Sequence, residues 1–165
     1  VYGLGANWAK QNEIVTLDGQ NTVPTVGTYI RVYRKIVRSA GAGGTNAGTI
    51  TAEISGTAYS EIAAATGQTL QAAYSMPAAA EGHVEQIVFS AGETNKQGQF
   101  VLYVREFGQV WAPKLTLDVT QGTVQIMRPA HPTFPAKSDI RIACTASAGT
   151  LAAAASWTHH EVTTA

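Results

Sequence analysis

The sequence predicts an all-β fold: an antiparallel two-sheet β-sandwich, jelly-roll-like, with about ten strands in a single domain over residues 1–165. Three observations carry that expectation. Alanine, glycine, threonine, serine and valine dominate, and only 13% of residues are charged. No stretch of a dozen residues keeps an apolar 3.6-residue period opposite a charged face, as an amphipathic helix would. Short period-2 segments recur instead, at regular spacing between Gly, Asn, Ser and Pro, which is the pattern of layered antiparallel sheets. At 165 residues the chain has the length of one domain able to bury a core without covalent staples.

Taken in order, Val1 to Gly3 reads as the end of a strand, and with Val1 in place of methionine a preceding N-terminal segment is expected. Residues 11–18 alternate up to an Asp18-Gly19 turn. Along residues 28–38, Ile30, Val32, Arg34 and Ile36 face away from Tyr29, Arg31, Tyr33 and Lys35 if the alternation holds. The glycine-rich "SAGAGGTNAG" of residues 39–48 must be a loop, after which residues 49–55 resume as a strand. Residues 68–76 are strand-like up to Pro77, and "PAAAEG" turns the chain before a strand at 83–91. In residues 99–106, Phe100, Leu102 and Val104 oppose Val101, Tyr103 and Arg105. Strands at 110–119, 123–127, 139–145 and 150–161 complete the set.

The last segment holds an alanine run with high helix propensity, but propensity yields to tertiary context. The turn at 146–149 follows a convincing strand, so residues 151–160 are expected to return beside it as a hairpin partner. Leu151, Ala153, Ala155 and Trp157 then share one face.

Eleven basic side chains balance eleven acidic ones, which leaves no electrostatic footprint for a nucleic acid or an anionic membrane as partner. No apolar run approaches the roughly 20 residues of a membrane-spanning helix. Cys144 is the only cysteine, so neither an internal disulfide framework nor a thiolate-rich zinc site can form. Lying on the side of Ile140 and Ile142, it is expected to be a small buried hydrophobe.

Neighbouring His159 and His160 point to opposite faces of a strand and cannot chelate one ion together, and His83 or His131 would join them only through the folding of distant segments. No metal site is expected. There is no G-x-S-x-G elbow, and the glycines of "GLGAN" and "GAGGTN" lack both the Lys-Ser/Thr of a phosphate loop and the strand-to-helix setting of a dinucleotide site. No two carboxylates alternate on one strand beside aromatic residues as a glycosidase pair would suggest. Asp139 in "PAKSDIRI" is expected to open a strand and hold a turn. No enzyme, catalytic residue or cofactor is therefore predicted.

Two surfaces remain. Tyr29, Arg31, Tyr33 and Lys35 place two aromatic groups and two cations on one strand face, a composition enriched in interface cores. Trp8, Trp111 and Trp157 with the tyrosines could form a glycan-stacking platform, Trp8 and Trp111 being its candidates if Trp157 is core; otherwise Trp8 and Trp111 close the ends of the sandwich or an interface.

Four stretches carry a resemblance: "VYGLGANWAKQNEIVTLDG" at 1–19, "QTLQAAYSMPAAAEGHVEQI" at 68–87, "FVLYVREFGQVWAPKLTL" at 100–117 and "FPAKSDIRIACTAS" at 134–147. In order and spacing over nearly the whole chain they resemble a family of tailed-phage virion proteins of marine and cyanobacterial phages. The chain differs from that family at Ala78-Ala79-Ala80-Glu81-Gly82, where relatives carry Ala-Gly-Lys-Thr-Gly. The resemblance implies a jelly-roll-like capsid decoration (cement) or head-fibre subunit on the outer surface of the capsid. Such a subunit is often trimeric and docks on the major capsid protein. It also implies an N-terminal segment ahead of the Gly-Leu-x-Ala-Asn block, and no catalytic residues. The alternative expectation is a tail- or vertex-associated virion protein whose sandwich binds a host glycan.

Overall fold

The computed structural model describes residues 1–92, 95–127 and 133–163. Within them the chain is all-β, with thirteen strands and only antiparallel pairing. Where one sandwich domain is expected over residues 1–165, contacts divide the chain into two compact units, Val1–Gln71 and Ala72–Ala165. The division follows pairing: every strand of the first unit is bonded only to strands of that unit.

The first unit holds β1 (Tyr2–Gly5), β2 (Lys10–Asn12), β3 (Tyr29–Arg34), β4 (Ile50–Ile54) and β5 (Thr57–Ile62). They form a sheet of order β2-β1-β3 and a β4-β5 hairpin. The Asp18-Gly19 turn is present, with Gly19 at φ 56° and the Asn21 amide donating to the Asp18 carbonyl at 2.9 Å. The strand expected before it is confined to β2, because residues beyond Asn12 find no partner strand.

Leu4 and Ile62 are the buried hydrophobic side chains of this unit, and its interior is otherwise polar. Asn46 anchors the glycine-rich loop by donating from Nδ2 to the carbonyls of Gly48 and Ala63, both at 2.8 Å, while its Oδ1 accepts from the Gly67 amide at 3.0 Å. One side chain thus replaces the ladder hydrogen bonds that a loop of this composition cannot make.

The second unit is a two-sheet sandwich. Its strands are β6 (Ala73–Ser75), β7 (Ala80–Ala91), β8 (Gln97–Arg105), β9 (Ala112–Thr120), β10 (Gly122–Met127), β11 (Thr133–Phe134), β12 (Asp139–Ala146) and β13 (Ala153–Thr163). One sheet has the order β6-β12-β8-β9; in the other, β7 pairs β13, β10 and β11. The alternation of β8 is realised: Phe100, Leu102 and Val104 are buried while Val101, Tyr103 and Arg105 are not. Phe89 of the opposite sheet meets Phe100 at 5.1 Å between ring centroids, and Ile87, Met76, Val119, Phe134 and Ile140 complete the same core. Burial of this order, about 25 cal/mol per Å² of apolar surface, is the main favourable term of the fold.

The alanine-rich segment is a strand, β13, with Ala155 and Trp157, and Leu151 just ahead of it, packed against the core, whereas Ala153, expected on the same face, is exposed. Its partner is not the expected one. Although β6 pairs with β12 only from Asp139 to Arg141, the chain crosses to the other sheet and pairs with β7 from Ala153↔Ala91 to Thr163↔Ala80. Cys144 also departs from expectation. It lies opposite Phe100 towards the C-terminal end of β12 and is exposed.

Candidate functional site

The predicted interface strand is only partly a surface. Two register shifts in the β1–β3 pairing, between Tyr2 and Gly3 and between Leu4 and Gly5, interrupt the simple alternation of β3. Tyr29, Arg31 and Tyr33 remain half-buried, and the Arg31 guanidinium lies 5.2 Å from the Trp8 ring centroid. Trp8 sits in the β1–β2 turn at φ 62°, a conformation rare for so bulky a residue, with its amide donating to the Gly5 carbonyl at 2.8 Å.

Lys35 must be removed from the interface set. It follows the end of β3, is 4% exposed, and donates from Nζ to the carbonyls of Ser60 at 2.7 Å and Ile50 at 3.1 Å. Both acceptors belong to its own unit, so Lys35 clamps the β4-β5 hairpin and presents nothing to a partner.

Burial lowers the Lys35 pKa to about 8, with Glu61 opposing the shift. The unfolded chain, near the ordinary 10.5, therefore holds more protons than the folded one between pH 8 and 10.5. Stability is expected to rise with pH across that window, and the cost of burying the charge is fully present below pH 8. The gain should be about 1–2 kcal/mol, discounted for the polar surroundings of Nζ. Urea midpoints read at pH 7.5 and 9.5 from isotope-labelled Ile62 methyls would measure it, and Lys35→Met should abolish the difference.

The richest surface lies on the second unit and was only partly anticipated. On the outward side of the β6-β12-β8-β9 sheet, Arg105 stands opposite Asp139 and Tyr103 opposite Arg141. The hairpin between β8 and β9 turns at Gly108, φ 76°, closed by the Gln109 amide on the Glu106 carbonyl at 2.9 Å. Since Ala112 pairs with Val104 on the core side, the preceding Trp111 falls outward beside Arg105. The guanidinium carbons of Arg105 and Arg141 lie 4.8 and 4.5 Å from the Trp111 centroid, and Arg141 also covers Tyr103 at 5.2 Å.

Asp139 anchors the cluster from below. It is 6% exposed; Oδ1 accepts from the Ser75 hydroxyl at 2.6 Å, and Oδ2 accepts from Arg105 at 2.6 and 3.1 Å. A charge-assisted, nearly bidentate pair of this kind holds the arginine in one orientation. Asp139 does open β12 as expected, but the turn before it is held by Ser138, whose hydroxyl donates to the Pro135 carbonyl at 2.7 Å. The β8–β9 hairpin that leads into Trp111 carries two exposed apolar side chains, Phe107, 63% exposed with Lys137 5.2 Å from its ring, and Val110, 83% exposed.

Of the two indoles expected to serve a glycan, Trp8 belongs to the first unit and Trp111 to the second. Each is half-buried and already engaged by arginine, unlike the bare ring on which a sugar stacks.

The histidines separate as the strand geometry requires. His159 faces inward against Tyr74 at 4.9 Å between centroids, beside Glu161, whose Oε1 accepts from the Tyr74 hydroxyl at 2.6 Å. His160 faces outward, and the register brings it opposite His83, the rings stacked at 5.1 Å with Glu85 3.3 Å away. His131 lies outside the described residues. Among the described residues no three His, Cys, Asp or Glu side chains are grouped to hold a metal.

No protein-family model, curated protein or solved structure matches the chain.

Proposed function

We propose that this chain is a structural protein of a phage particle, a decoration subunit that binds the major capsid protein lattice from outside. The observation that carries the reading is the outward face of the β6-β12-β8-β9 sheet. Trp, Tyr and Arg are the residues most enriched where interfaces concentrate their energy, and here Trp111, Tyr103, Arg105 and Arg141 are assembled on one rigid face. Side chains held in place before binding lose less entropy on docking, so each contact contributes more. The four stretches that resemble tailed-phage virion proteins support the same reading.

In this reading three copies pack side by side, with Tyr29, Arg31 and Tyr33 at their contacts, and many modest contacts across the lattice add through multivalency. Neither nucleic acid nor a membrane is a partner.

Quantitative mass spectrometry of purified virions tests the proposal. The expected result is one copy per major capsid protein, or one per three. A few copies per particle would transfer the chain to a vertex or tail and make glycan binding the next question. Loss of virion binding in Trp111→Ala is the expected companion result.

A further inference from the structure

Within the arginine and aromatic cluster, Arg141 differs from Arg105. Arg105 is committed to Asp139, whereas Arg141 is exposed, and its contacts are the faces of Trp111 and Tyr103. Among the described residues none accepts a hydrogen bond or ion pair from its five N–H donors. Stacking fixes the plane of the guanidinium while leaving its edge available, the geometry in which arginine takes a carboxylate through two parallel bonds.

The surroundings favour an anion. Lys137 lies 5.2 Å from the Phe107 ring of the β8–β9 hairpin, the Lys114 ammonium lies 3.7 Å from Glu106, and the Asp139 carboxylate is buried against Arg105. The β8–β9 hairpin next to Trp111 adds the exposed apolar side chains of Phe107 and Val110. A phosphate backbone calls for a repeated basic stripe on a basic protein, and this chain is neutral overall. One guanidinium oriented by two aromatic rings, beside a hairpin with exposed apolar side chains, fits a protein segment in which an acidic residue neighbours an apolar one.

We propose that Arg141, framed by Trp111 and Tyr103, is a carboxylate-binding site that receives an acidic and apolar segment of a protein partner. It rests on the decoration reading in naming that partner as the capsid subunit; the site's chemistry is testable apart from it.

The test uses the full chain labelled with 15N-arginine, with the Arg141 Nε–Hε resonance identified by its loss in Arg141→Gln. The probes are a capped Leu-Glu-Glu-Leu-Glu-Glu peptide, its counterpart with glutamine for glutamate, and inorganic phosphate. The expected result is a saturable shift with the glutamate peptide alone. Affinity should fall about tenfold or more in Arg141→Gln, and Arg141→Lys should not restore it, because an ammonium lacks the planar fork. Arg141 is exposed, so an otherwise unchanged amide spectrum in both variants confirms that the sheet is intact.

An equal response to the glutamine peptide, an equal response to phosphate, or full affinity in Arg141→Gln would each overturn the site. Virion binding separates the two readings. Virions bound equally well by Arg141→Gln would remove the site and keep decoration. Glutamate-peptide binding by a chain absent from virions would remove decoration and keep the site.

Discussion

Replacing Asp139 with alanine is expected to destabilise the protein by about 3 kcal/mol, measured by urea denaturation of the full chain. Removing one partner of a buried ion pair typically costs about 3–5 kcal/mol because the other charge is left uncompensated. The lower end applies here, since the Arg105 side chain is 35% exposed and water can solvate part of it. The Ser75 hydroxyl also loses its acceptor at 2.6 Å. Asp139→Asn keeps an oxygen for Ser75 and should cost less, about half as much. Both variants free Arg105 from its fixed orientation beside Trp111, so weakened virion binding should accompany the loss of stability. If Asp139→Ala left the denaturation midpoint unchanged, the pair would be ornamental and the preorganisation argument would fail with it.

Gly3→Ala should be comparably damaging, about 3 kcal/mol, at the upper end of what overpacking costs. A Cβ at Gly3 would overlap the Arg31 carbonyl oxygen and lie 2.7 Å from Tyr29 Cδ1. The first neighbour is backbone and cannot swing aside, so β1 and β3 must separate for the methyl to fit. The denaturation midpoint should fall, and amide exchange in β3 should quicken. Glycine here serves close approach rather than flexibility, which is why β3 can lie against β1 despite two register shifts.

The strands were legible where alternation was sustained. Phe100, Leu102 and Val104 announced the buried side of β8, and Asp139 the start of β12. Expectation failed where a local device replaced alternation. The bulged pairing of β3 was invisible in a tidy period-2 run, so Lys35 was placed on an exposed face although it is buried on two carbonyls. The hairpin strand β5 escaped notice because "TAYSEI" carries too few apolar residues to signal itself. Trp111 was conspicuous as an indole, but its association with Arg105 and Arg141 joins residues up to 36 positions apart and follows from strand register alone.

What the sequence by itself determined is the class: all-β and antiparallel, with a low charge, no disulfide framework and no amphipathic-helix period. These follow from composition and short-range periodicity, which each segment carries alone. Tertiary structure alone decided which strands pair, where the chain divides, and which side chains meet. Pairing depends on contacts between segments distant in sequence: β13 joins β7 from Ala153 to Thr163 rather than β12, its neighbour along the chain. The stacked Arg141 is likewise a product of register, because a cross-strand neighbour is chosen by hydrogen bonding between backbones distant in sequence.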